Sequence, residues 1–244
     1  MANAQDVAAV VKQDPGISAR VLQLVNSAFF RLSREIGSVE QAIVYLGFDA
    51  LQRIVLAAEL FSIGKGRSEK ATLALRELQK HSLAVANVAV ALTSGGEEET
   101  YFTAALLHDV GKLLMTLHLP DHLDPIHEKM RSSGEPMHEV ETQLFGVTHA
   151  EIGGYLLGVW GLPYGIVEAV ANHHAPSRVG FAEPGLVSAV HLADALVHTI
   201  VADQSIVPDP KTIALYGPQE IWSDWLEQFR DLVLTTSRGL TELT

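Results

Sequence analysis

Residues 71–117 read ATLALRELQKHSLAVANVAVALTSGGEEETYFTAALLHDVGKLLMTL, a stretch without a single proline. Its apolar residues recur at spacings of three and four, and none of it alternates with the period of two that a half-buried strand requires. The Gly95-Gly96 pair divides it into two segments of helical length, 71–94 and 99–117. The pattern extends outward, since no proline falls between Pro15 and Pro120. Gly37, Gly47, Gly64 and Gly66 mark further boundaries. In DPGISARVLQLVNSAFF (14–30), Asp14 is placed as a helix N-cap and Pro15 at the first helical position. SVEQAIVYLGFDALQRIVLAAELF (38–61) reads as two helices broken near Gly47. The expected fold is therefore all-α, a multi-helix bundle. The polar, glycine-containing SIGKGRSEK (62–70) is its best internal seam, separating an N-terminal helical lobe (1–66) from a histidine-bearing bundle (67–244). A second loop is expected at 201–211, followed by a packing helix around PQEIWSDWLEQFRDLVL (218–234).

The chain has 244 residues, of which 48% are hydrophobic, enough to bury a substantial core. Its net charge of −12 argues against binding to nucleic-acid phosphates. No apolar run is long enough for a membrane span; the best candidate, LAVANVAVAL (83–92), is short and contains Asn87. No basic segment followed by an apolar stretch opens the chain, so no signal peptide is expected. The absence of cysteine excludes disulfides and thiolate metal sites and fits a cytoplasmic protein. Eleven histidines are the unusual count.

Where the ionisable residues fall on their helices is more informative. In 71–94, Leu78, Val85, Val88 and Leu92 form an inward stripe, and His81 sits on it. In 99–117 the stripe is Phe102, Leu106, Leu113 and Leu117. Asp109 lies on that face and His108 on its flank. In 186–201, Val187, Val190, Val197 and Val201 form the stripe that Asp194 interrupts. Burying two unpaired carboxylates costs on the order of several kcal/mol each. A divalent metal held by His81, His108, Asp109 and Asp194 would remove that cost. Imidazole and carboxylate without thiolate suit iron, manganese, zinc, nickel or magnesium. Taken singly, an inward histidine is a common hydrogen-bonded core residue, and an inward aspartate can cap a helix or pair with an arginine. The coincidence of three such interruptions favours the metal.

Two further sites extend the cluster. His149 opens HAEIGGYLLGVWGLP (149–163), whose Ile152, Leu156 and Val159 are expected to face inward. His173 and His174 end YGIVEAVANHH just before Pro176, where the helix dipole alone favours a histidine. No role is expected for His118, His122, His127 or His138, and His191 and His198 are placed at the surface or behind the ligands.

Taken in order, His81, the His108-Asp109 pair and Asp194 resemble the metal-binding pattern of the HD superfamily of phosphohydrolases. QDPGISARVLQLVNSAFF, QAIVYLGFDALQRIVLAAELF, LLHDVGKLLM, HAEIGGYLLGVWGLP and VEAVANHHAP together resemble the HDOD domain, a bacterial signalling module, over residues 5–200. The resemblance implies an all-helical HD-type bundle with an N-terminal lobe. It also implies a regulatory or interaction role in signal transduction, with a signalling protein or an upstream receiver or sensor domain as partner. Many HDOD domains lack the metal ligands, whereas this chain keeps them. The related HD-GYP domain, which hydrolyses cyclic di-GMP, has a metal set similar to His81, His108, Asp109, His149, His173, His174 and Asp194, with Glu77 matching an additional carboxylate. HHAPSRVGF (173–181) lacks that family's Gly-Tyr-Pro signature.

The resemblance carries an alternative function, a phosphohydrolase with one or two divalent ions acting on a cyclic dinucleotide, a nucleotide or another phosphate-containing small molecule. In that reading Asp109 bridges the ions, a water is activated for in-line attack, and Lys112 neutralises a phosphate oxygen. Gly111 would allow a close approach of helix or substrate.

Overall fold

The computed structural model describes residue 9 and residues 11–26, 35–46, 69–93, 96–180, 183–202 and 206–239. Phe29, Phe30, Arg31, the second helix expected after Gly47, and the 66/67 boundary lie outside the described residues. Among those described, every regular element is helical and there is no strand.

Two helices, α1 (Pro15–Val25) and α2 (Val39–Leu46), precede the bundle. Asp14 caps α1 as its sequence requires, its Oδ1 accepting from the backbone N–H of Ile17 at 3.0 Å. The bundle comprises α3 (Glu69–Ala91), α4 (Glu98–Leu107), α5 (Val110–His118), α6 (Pro120–Ser133), α7 (Met137–Phe145), α8 (His149–Val159), α9 (Tyr164–Asn172), α10 (Leu186–Ala202), the short α11 (Pro210–Ala214) and α12 (Ile221–Gly239). Helix α3 is the axle: α4, α10 and α12 pack along it, while α8 packs against α5 and α9. A single apolar cluster runs from Val21 and Val39 through Val85, Leu106 and Leu157 to Leu192 and Phe229. A satellite of Met115, Ile126 and Val140 holds the α6–α7 excursion.

Helix α12 is the packing element its sequence suggested, burying Trp225, Phe229 and Val233 at spacings of four. Two expected stripes end differently. Val201 is 55% exposed and Val159 is 66% exposed, so neither reaches the core. In α8 the inward face runs instead through Ala150, Gly153, Gly154 and Leu157. The reason is proximity. A Cβ on Gly154 would lie 2.6 Å from the Cβ of Ala171 in α9. One on Gly111 of α5 would lie 1.9 Å from the carbonyl oxygen of His149. Helix α8 is pressed between its neighbours through residues without side chains, and apolar periodicity does not register such a face.

The Gly111 contact sets the depth at which His149 enters the bundle. Gly111→Ala forces α5 and α8 apart and is expected to destabilise the fold by about 3 kcal/mol, the upper range for overpacking. A lowered denaturant midpoint with an unchanged m-value checks this.

Candidate metal centre

The pair His108-Asp109 breaks what the spacing reads as one helix over 99–117. Helix α4 ends at Leu107 and α5 begins at Val110. The His108 ring donates through Nδ1 to the Ala105 carbonyl at 2.6 Å. In a continuous helix that carbonyl would serve the backbone N–H of Asp109. Asp109 becomes the N-cap residue of α5, its carbonyl oxygen accepting from the Lys112 N–H at 2.9 Å. Its carboxylate makes no capping bond. It turns inward instead and is 1% exposed.

Each oxygen of Asp109 meets a different set of groups. Oδ1 lies 3.2 Å from His149 Nε2 and 3.7 Å from His173 Nε2. Oδ2 accepts from the Lys112 ammonium at 2.7 Å and lies 3.4 Å from His108 Nε2 and 3.8 Å from His81 Nε2. Asp194 Oδ1 gathers His81 Nε2 at 2.9 Å, His198 Nε2 at 3.4 Å and His108 Nε2 at 3.6 Å. His174 Nε2 approaches His149 Nε2 to 2.9 Å. His81, His108, Asp109, His149, His173, His174 and Asp194 thus come from α3, the α4–α5 break, the start of α8, the end of α9 and α10 into one cluster. Lys112 sits on the Asp109 carboxylate itself.

The far sides of the rings determine which lone pairs point inward. His173 Nδ1 donates to the Val170 carbonyl at 2.8 Å. His149 Nδ1 donates to Glu141 Oε2 at 2.7 Å, and the same oxygen accepts the His149 backbone N–H at 2.9 Å. Nδ1 carries a proton on His108, His149 and His173, so each ring turns its Nε2 towards Asp109. His108 Nε2, His173 Nε2 and Asp109 Oδ1 are buried without a hydrogen-bond partner. A divalent cation on the Nε2 atoms, in place of any ring proton there, would satisfy all three, so the residues fit a divalent metal. Ligand atoms of Asp109, His149, His173 and His174 lie within 4.8 Å of one another, as do those of His81, His108 and Asp109.

Several supporting residues surround the cluster; of these, the sequence places His191 at the surface or behind the ligands. Glu141, fully buried on α7, orients His149. The capping box of Thr148 with Glu151 starts α8 so that His149 is its first residue. His191 donates through Nδ1 to the His173 carbonyl at 2.7 Å and accepts the Asp209 N–H on Nε2 at 3.0 Å, which anchors the end of α9. His138 stacks on His174 with ring centroids 4.2 Å apart. His198, four residues after Asp194, shares its helix face, a spacing already present in the sequence. Glu77 departs from expectation: its side chain is 61% exposed and pairs with Lys80 at 3.0 Å, away from the cluster.

Burial pushes the Asp109 carboxyl up, but the charges of His108 and Lys112 outweigh it and hold it well below the usual carboxylate range. For Asp194 burial is likewise outweighed by the imidazoles of His198, His108 and His81. His108 is opposed by burial yet raised to about 10 by Asp109. Burial and neighbouring imidazoles push His173 and His174 well below the ordinary value, and burial lowers His138 and His191, and His198 to about 4.

Two outcomes follow from these charges. Below about pH 6.5 the unfolded chain protonates five imidazoles that the fold keeps neutral, so it binds more protons than the native state and stability falls with pH. His108 does not offset this loss, because a raised value adds stability that is already complete below 6.5. Chelator-treated protein should therefore lose stability steadily from about pH 6.5 towards 4, and a flat denaturant midpoint between pH 7 and 5 would refute it. Separately, Lys112→Met leaves Asp109 without its ammonium. The metal-free protein should lose about 3 kcal/mol, and added divalent ion should restore more stability to the variant than to wild type.

With this geometry in place, comparison with known proteins identifies the class. The HDOD domain model matches residues 1–176, and the chain belongs to the HDOD family. Asp194 and His198 lie beyond the matched residues. An uncharacterized protein of Treponema pallidum is 25% identical over 213 residues, covering 85% of this chain and 40% of the relative, so the chain spans under half that protein's length. An HDOD domain protein of Geobacter sulfurreducens superposes with a TM-score of 0.61 at 22% identity, covering 100% of this chain and 87% of its own. The MmoQ response regulator of Methylococcus capsulatus gives 0.69 at 23% identity, covering 92% and 90%. At these identities the solved structures establish the shared helical fold. Among the described residues no helix is long and apolar enough to cross a membrane.

Proposed function

We propose that this HDOD domain is a regulatory module of a bacterial cytoplasmic signalling protein, built around a divalent metal centre on Asp109. The observation that carries the metal centre is the set of buried ligand atoms left without a hydrogen-bond partner, His108 Nε2, His173 Nε2 and Asp109 Oδ1, converging in one cluster. Membership of the HDOD family supports the regulatory role. In that role the partner is a receiver, sensor or other signalling domain. The ion ties α3, α5, α8, α9 and α10 together, so its occupancy sets the rigidity of the surface that the module presents.

Metal-dependent phosphodiester hydrolysis is favoured by one specific observation: Asp109 turns its two oxygens towards two different imidazole sets. Ions bound there supply Lewis-acid activation of water and of a phosphoryl oxygen. The chain's own contribution is positional. Glu141 and His191 hold His149 and His173 in register, and Lys112 keeps the Asp109 carboxylate ionised. A phosphate-containing small molecule would approach past His81 and His198, the more open side of the cluster.

Metal analysis of purified protein separates these readings. Wild type is expected to hold stoichiometric iron, manganese, zinc or nickel, and Asp109→Asn to lose it while keeping native helicity. Hydrolysis of a generic aryl phosphodiester or a cyclic dinucleotide, present in wild type and absent from Asp109→Asn, would establish the enzyme. Metal without turnover would leave the regulatory module. Protein that takes up no metal after incubation with each of these ions sinks both.

A further inference from the structure

The two carboxylates of the cluster are not equivalent. Asp109 Oδ2, the oxygen nearest His81 and His108, is occupied by the Lys112 ammonium at 2.7 Å. A cation on that side meets competition at Asp109 and finds its free carboxylate at Asp194. There His81 Nε2 and His198 Nε2 lie 2.9 and 3.4 Å from the same oxygen, and the His81 and His198 rings stack obliquely with centroids 4.4 Å apart. One ligand atom from each of His81, Asp194 and His198 falls within 4.8 Å of the others. The exposure of this trio also differs from that of the inner group. The side chains of His173, His149 and Asp109 are at most 1% exposed and His174 is half-buried, whereas His198 is 38% exposed and His81 16%. Glu77, the carboxylate that would otherwise close this side, points to solvent.

We propose that His198 is a metal ligand, completing with His81 and Asp194 a solvent-facing site for an exchangeable divalent transition cation, distinct from the enclosed site of Asp109, His149, His173 and His174. Two imidazoles and a carboxylate are a donor set for zinc, iron, manganese, nickel or cobalt, and three protein ligands with solvent outside leave coordination positions open. The spacing suits the task, because Asp194 and His198 are one turn apart on α10 and both face α3. The cluster then has an inner ion sealed by the fold and an outer ion that follows the free metal concentration. This rests on the metal centre proposed above.

Chelator-treated protein titrated with Co²⁺ by calorimetry and visible absorption tests it. Wild type should show two classes of site, the weaker one extracted first by chelator. His198→Gln keeps a hydrogen-bond donor towards Asp194 but is a poor ligand. It should weaken the exchangeable class on the order of 10- to 100-fold and alter its absorption band, with the tight class unchanged. His198→Glu, which restores a ligand, should recover most of the affinity. A His198→Gln protein that titrates like wild type overturns the outer site while leaving the Asp109 centre standing. Loss of every ion in a natively helical His198→Gln protein overturns the division into two sites. No Co²⁺ uptake by wild type overturns this proposal together with the metal centre.

Discussion

The constraint on which the structure turns is a carboxylate, Asp109, enclosed where five helical elements meet. In water it would need no partner. In the bundle it needs compensation on both sides, and the fold supplies the Lys112 ammonium on one and a ring of imidazoles, able to hold a cation, on the other. Breaking such a buried pair without replacing the charge costs several kcal/mol, which is why the surrounding residues are held so closely.

That holding is done by features with little chemistry of their own. Gly111 lets the His149 backbone reach α5, and Gly154 lets α8 lie against α9. Glu141 grips both the backbone and the ring of His149, and His191 ties the carbonyl of His173 to the loop before α11. The helix break at His108-Asp109 belongs to the same device. It removes Asp109 from the regular helix, so that its carboxylate faces the cluster and its carbonyl starts the next helix. Lys112 gives the cluster a resident positive charge on the Asp109 carboxylate.

Much of this was legible in the residues before any coordinates. The all-helical class followed from period and proline placement. His81, Asp109 and Asp194 were marked by being polar on apolar stripes, and the remaining histidines by their positions at helix ends. The stripe argument failed where its assumption of an unbroken helix failed, at 108–109. It failed again where inward faces are lined by glycine, so that Val159 was expected inside and is exposed. Glu141 and His198 lay within its reach, one beside Val140 and the other four residues after Asp194. Neither interrupts a long apolar run, and each stood out only once its partner was seen.

The sequence by itself determined that the chain is helical and which ionisable side chains fall on its inward faces, because periodicity and residue type are local properties. Only the tertiary structure decided which of those side chains share an oxygen. Five elements separated by up to 113 residues converge there, as His81 and Asp194 do at 2.9 Å. Convergence of that kind is set by close packing at Gly111 and Gly154 and by the bend at His108, none of which has a periodic signature. The same packing left Glu77 out on Lys80, away from the cluster, a placement that one-dimensional spacing leaves open.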